Sequence, residues 1–195
     1  MVARPLDPAD RGIRPAAGVR PPRDAVRYRL DVVAHNVADA VEHAGGWLFD
    51  RVGAGWEVTV LIPGLPTADV RPLRILGAEV LDLDSVIAAR GQGRRPDAVA
   101  ISSVVCEQDS RTHRGLLNAL HDGGVEVVVW GRAWTSPPQH QVDPVVHRLS
   151  IAAQAFKAQA LTAAQLPQAL NTPTEVFRSG LPSFPPLGFD LVPVG

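Results

Sequence analysis

The chain is short of cysteine, lysine, aromatics and long apolar runs, and each shortage excludes something. A single cysteine, Cys106, rules out an internal disulfide and fits a reducing compartment. Lys157 is the only lysine, so basic charge is carried almost entirely by arginine, as GC-rich coding favours. No apolar stretch approaches the roughly 20 residues that span a bilayer. The opening MVARPLDPADRGIRP has no apolar segment of a secretory signal. A cytoplasmic location without membrane contact is therefore expected. The net charge of −1 gives no bulk attraction to nucleic acid.

Familiar chemical signatures are missing too. No GxGxxG follows a strand pattern and there is no GxxxxGK[ST], so no dinucleotide or other cofactor is expected. Gly53-Ala54-Gly55 and Gly91-Gln92-Gly93 both precede strands, which is the wrong order for a phosphate loop. Ser102-Ser103 lacks the flanking glycines of a nucleophile elbow. Cys106 stands seven residues before His113, about two helical turns away, and reads as a small buried thiol. His35, Asp39 and His43 recur every four residues and could share one helical stripe. That stripe lies opposite the apolar face, so the reading is a solvated face and no metal.

What is present is 46% apolar residues in 195, enough for one ordinary domain with a core. The pattern is clearest from Asn36 to Pro63. Asn36 suits a helix N-cap, with Asp39 in the first turn. Val37, Ala40, Val41, Ala44, Leu48 and Val52 make one helical face. Gly45 and Gly46 interrupt it at about 1 kcal/mol each, which suggests that another backbone, that of a sheet, passes close by. Gly53 and Gly55 stop the helix, and EVTVLI (57–62) reads as a strand. Trp47, Phe49 and Trp56 are expected to pack in or around the core.

Upstream, Val26, Tyr28, Leu30 and Val32 alternate as in a strand, whereas Leu30, Val33 and Val37 would carry the helix backwards; the strand is preferred. Downstream, strands are expected at 78–83, 97–105 and 125–130, with helices at 67–76, 84–90 and 107–122 between them. This alternation predicts a three-layer α/β domain, Rossmann-like or flavodoxin-like, over residues 26–134, with four or five mostly parallel strands. Asp143-Pro144 reads as the start of a further helix reaching Leu161, with Val146, Leu149, Ala153 and Phe156 on its apolar face. Residues 135–164 thus read as linker and docking helix. Residues 1–25, with five prolines, and 165–195, with six, read as disordered. Up to Arg29 the chain carries seven arginines against three aspartates, which reads as a solvated arm. The interleaved aspartates and missing aromatics speak against nucleic acid.

The segments AGGWLFDR, GWEVTVL, RPLRILG, VEVVVWG and HRLSIAAQAFKAQAL resemble a group of uncharacterised small α/β proteins from high-GC actinobacteria. The resemblance covers roughly residues 30–162 and implies no activity and no site residue.

Ligands of open α/β sheets usually sit at the carboxyl ends of the strands. There the sequence would place His35, Asn36, Asp82, Asp84, Ser102, Ser103, Glu107 and Arg132 as ligand-binding candidates. Absent motifs and a free helix face favour a non-catalytic interaction or regulatory module, self-associating or docking a protein through the 143–161 helix. The alternative is an enzyme or sensor for a small phosphorylated or nucleotide ligand, built from the strand-end residues.

Overall fold

The computed structural model describes residues 27–65, 68–89, 94–131, 143–180 and 190–194. The arginine-rich arm, the 91–93 loop, Arg132 and the proline-rich stretch 181–189 lie outside them. Five parallel strands come first: β1 (Arg29–Val33), β2 (Glu57–Ile62), β3 (Glu79–Asp82), β4 (Ala98–Ser102) and β5 (Glu126–Trp130). Between them run α1 (Val37–Gly53), α2 (Arg71–Ile75), α3 (Leu83–Ala88), α4 (Ser103–Gln108) and α5 (Ser110–Asp122). Then follow β6 (Asp143–Arg148), α6 (Ile151–Ala163), β7 (Thr174–Gly180) and β8 (Leu191–Pro193). The sheet has eight strands in the order β3-β2-β1-β4-β5-β7-β6-β8. β7 joins β5 antiparallel, and β6 and β8 continue antiparallel beyond it.

The α/β class and the parallel half agree with the sequence; the extent of the sheet does not. Three further strands lie where a docking helix and a disordered tail were expected. The first arises because Asp143-Pro144 imitates a capped helix. In fact Val145 and His147 are buried while Asp143, Pro144 and Arg148 are exposed, the two-residue period of a strand. The true cap is Ser150, whose hydroxyl accepts from the Ala153 amide and starts α6. In β7, Val176 faces out while Glu175 and Phe177 face in, so a glutamate occupies a core position and hides the alternation.

The expected docking face is partly spent inside the molecule. Val146 is on β6 and Leu149 and Ala153 are buried, whereas Phe156, stacked on Phe49 of α1 at 4.5 Å, stays exposed. The buried side of the helix packs along α1 and α2.

Two cores sandwich the parallel strands. Leu30, Val32 and Ala34 of the first strand, with Ala100, Val128 and Trp130, face α1 and α6. Val33, Leu61, Ile101, Val127 and Val129 face α4 and α5. α1 is thus the central helix: it covers the parallel strands and reaches Phe177 and Leu191 of the antiparallel wing through one continuous core. Asn36 caps it as expected, accepting from the Asp39 amide at 2.9 Å. Among the described residues no helix is long and apolar enough to cross a membrane.

The glycine pair in α1 has its close neighbour, and it is a side chain rather than a passing strand. A Cβ at Gly46 would fall on the Leu149 isobutyl group, whereas one at Gly53 would meet nothing. Gly46→Ala should therefore cost about 2 kcal/mol in urea denaturation through overpacking. Gly53→Ala should cost nothing and gain up to about 1 kcal/mol.

Candidate functional site

The parallel strands change direction of sequence order between β1 and β4, the place where open α/β sheets gather ligand-binding groups. Asp39, in the first turn of α1, is the hub at this end. One carboxylate oxygen accepts from the His35 amide at 3.1 Å and the other from the Trp130 indole at 3.3 Å. It therefore ties the end of the first strand to the end of the fifth. One turn on, His43 Nδ1 lies 3.1 Å from the Asp39 carbonyl and 3.4 Å from its Oδ1. Two acceptors at Nδ1 favour the tautomer with its proton there, which leaves the Nε2 lone pair as acceptor. Among the described residues the Glu42 carboxylate comes to 3.8 Å of Nε2.

Glu42 and His43 open onto a cavity of about 440 Å³, completed by Gly131, Leu170, Thr172, Thr174 and Glu175. Its walls come from α1, the end of β5 and the start of β7, so the antiparallel wing builds half of it. Gly131 has φ +104, and a Cβ there would meet the Ser103 hydroxyl, so only glycine fits the turn. Beneath the same rim Ser102 is fully buried, and its hydroxyl has no partner among the described residues.

The sequence candidates scatter around this centre. His35 contributes its backbone amide, and Asn36 is committed to capping α1. Ser102 and Ser103 are buried at the end of β4. Asp82 caps α3, and its hydrogen bonds from Ser85 hold the carboxyl below the ordinary range. Asp84 is exposed in an ion pair with Arg111 at 2.8 Å. Glu107 is exposed on α4, and Arg132 lies outside the described residues. Asp39 and His43, the pair at the cavity, were visible in the sequence only as part of a four-residue stripe. Among the described residues no three His, Cys, Asp or Glu side chains are grouped to hold a metal ion.

A second polar cluster sits at the opposite end of the sheet and is structural. Arg51 is buried between the rings of Trp47 and Trp56, its guanidinium carbon 5.0 and 4.2 Å from their centroids. It lies 3.3 Å from Glu126 and 2.8 Å from Asp190, the latter off the N–H axis and so an ionic contact. Burial pushes the Glu126 carboxyl up, against the pull of Arg51. His147 spans Asp50 and the Asp190 carbonyl, both at 2.9 Å, and Asp50 also takes the Ser150 hydroxyl. This web joins the end of α1 to β5, β6 and the residue that precedes β8.

No protein-family model matches the sequence and no curated protein matches it. Solved structures share the fold. A deacetylase of teicoplanin biosynthesis, in complex with teicoplanin, aligns with a TM-score of 0.60 at 14% identity over 80% of this chain and 100% of its own. The deacetylase of the A40926 pseudoaglycone aligns at 0.51 and 18% identity, over 70% and 81%. The 4-carboxy-2-hydroxymuconate hydratase of Pseudomonas putida aligns at 0.51 and 14% identity, over 83% and 98%. These likenesses establish the fold, deacetylase-like rather than a small Rossmann sheet. They also overturn the expectation of a non-catalytic module. That expectation rested on missing motifs and a free helix face, whereas the structures sharing the fold are enzymes.

Cys106 takes no part. Burial, helped by the neighbouring Glu107 charge, pushes its thiol up to about 12. At pH 8 native protein should react with a disulfide reagent at least about 100-fold more slowly than urea-unfolded protein, because the thiolate is the nucleophile. Equal rates would show an open thiol.

Proposed function

We propose that the protein is an enzyme that adds water to a small molecule, with His43 as general base and Asp39 as the group that orients it. The observation that carries this reading is His43 lining the 440 Å³ cavity, with its Nδ1 held by Asp39 and Nε2 left to accept a proton. Deacetylation and hydration share one demand, a water molecule made nucleophilic, and enzymes of both kinds are built on this fold. His43 Nε2 takes the proton of the attacking water. In hydrolysis of an amide or ester the new C–O bond forms, the C–N or C–O bond breaks, and His43 returns the proton to the leaving group. Asp39 holds the ring at its Nδ1–H and favours the imidazolium that forms between the two steps.

The cavity also speaks to the substrate. Its described walls carry the exposed carboxylate of Glu42 and no arginine or lysine, the Glu175 carboxylate being paired with Lys157. A phosphorylated or nucleotide ligand would meet the Glu42 carboxylate, so a neutral or cationic small molecule fits better.

The test is a panel of chromogenic acetyl esters, N-acetyl anilides and conjugated enoic acids, assayed with wild type, His43→Gln and Asp39→Asn. Turnover by wild type should fall about 100-fold or more in His43→Gln, with CD spectra unchanged. Asp39→Asn should lose less. Undiminished turnover in folded His43→Gln would remove His43 from the chemistry, and a wild type inert to the whole panel would count against the reading.

A further inference from the structure

We propose that Lys157 and Glu175 are positioning residues for His43, acting through the backbone of α1; this rests on the reading of His43 as the base. The only lysine of the chain is fully buried. Its Nζ donates to the Glu42 carbonyl at 2.8 Å and to Glu175 Oε1 at 2.6 Å. Glu175 in turn accepts the Gly46 amide on Oε1 and the Trp47 amide on Oε2, both at 2.8 Å. In a regular helix the amide of residue 46 points at the carbonyl of residue 42. Here a cation stands at that carbonyl and an anion at that amide and the next one.

The grip falls on the peptide that joins Glu42 to His43. Its oxygen is the Glu42 carbonyl that Lys157 holds, and its nitrogen belongs to His43. The lysine stem packs against Gly45: a Cβ there would stand 3.6 Å from Lys157 Cγ, an ordinary contact. Glu175 also lines the cavity beside Glu42 and His43, so a single carboxylate fixes the helix turn and forms part of the wall. Stability alone does not require such a pair. Apolar replacements of similar volume often serve a core as well or better. What charges supply here is a fixed direction for one turn of α1 against β7. Neither Lys157 nor Glu175 touches the imidazole; the charged groups facing it are Asp39 and Glu42.

The test follows the His43 ring by ¹H–¹³C NMR against pH in the full chain, its signal assigned with His43→Gln. Lys157→Met is compared with wild type, and Lys157→Met/Glu175→Leu serves where the single variant, left with an unpaired buried carboxylate, does not fold. The expected result is a folded variant whose His43 midpoint moves by about 0.5 or more in pH, with shifted Gly46 and Trp47 amide signals. A folded variant whose His43 titration superimposes on wild type overturns the proposal. Loss of folding in both variants also overturns it, since the pair is then a structural clamp. The readout needs no substrate. Unimpaired turnover by His43→Gln would defeat the catalytic reading while leaving the positioning result standing.

Discussion

A buried lysine–glutamate pair set into the middle of α1 is the constraint that fixes how this helix stands against the wing. Lys157 comes from α6, Glu175 from β7, and the groups they hold belong to α1. Three elements that follow one another at long range in the chain are thus pinned at a single point. Around it the packing is tight: Leu149 lies over Gly46, and Trp47 packs on Phe177 at 5.2 Å. The second web, Arg51 with Glu126 and Asp190 and His147 with Asp50, fixes the far end of the same helix. Held at its middle and at its end, α1 presents its first turns at a set height above the strand ends. Those turns carry Asp39 and His43.

That geometry links fold to chemistry. A parallel sheet by itself offers a crevice at its carboxyl edge. The antiparallel wing adds Thr174 and Glu175 to the lining of an open cavity that His43 also lines. The proposed base and these wing residues come from parts of the chain more than 130 residues apart. Structures that share the fold include a deacetylase in complex with teicoplanin, the A40926 pseudoaglycone deacetylase and a 4-carboxy-2-hydroxymuconate hydratase.

Much of the parallel half was legible because it obeys simple periods. Val37, Ala40, Val41, Ala44 and Leu48 announce α1, and EVTVLI, AVAIS and EVVVW are β-branched runs bounded by turns. The wing was hidden for physical reasons that can be named. Pro144 and Asp143 obey the rule for a helix start while sitting in a strand paired on both sides. Glu175 and His147 occupy inward positions where a pattern reader looks for apolar side chains, because each has a polar partner distant in sequence. The site was half legible. The strand-end rule named His35 and Asn36 and stopped one turn short of Asp39 and His43, since a helical stripe of His and Asp looks like solvated surface until β5 and β7 close over it. Gly45-Gly46 gave the most informative signal: it marked the place where other chain segments approach α1, though it could not reveal that the visitors are charged.

The most direct measurement is a double-mutant cycle on the pair, with Lys157→Met, Glu175→Leu and the double variant compared by urea denaturation. Each single change should cost about 3–5 kcal/mol, because it strands a buried charge. The double variant should recover much of that loss, giving a coupling of about 2 kcal/mol or more. Additive costs with no coupling would show that the two charges do not act on each other, and the account of α1 as a helix pinned by them would fail.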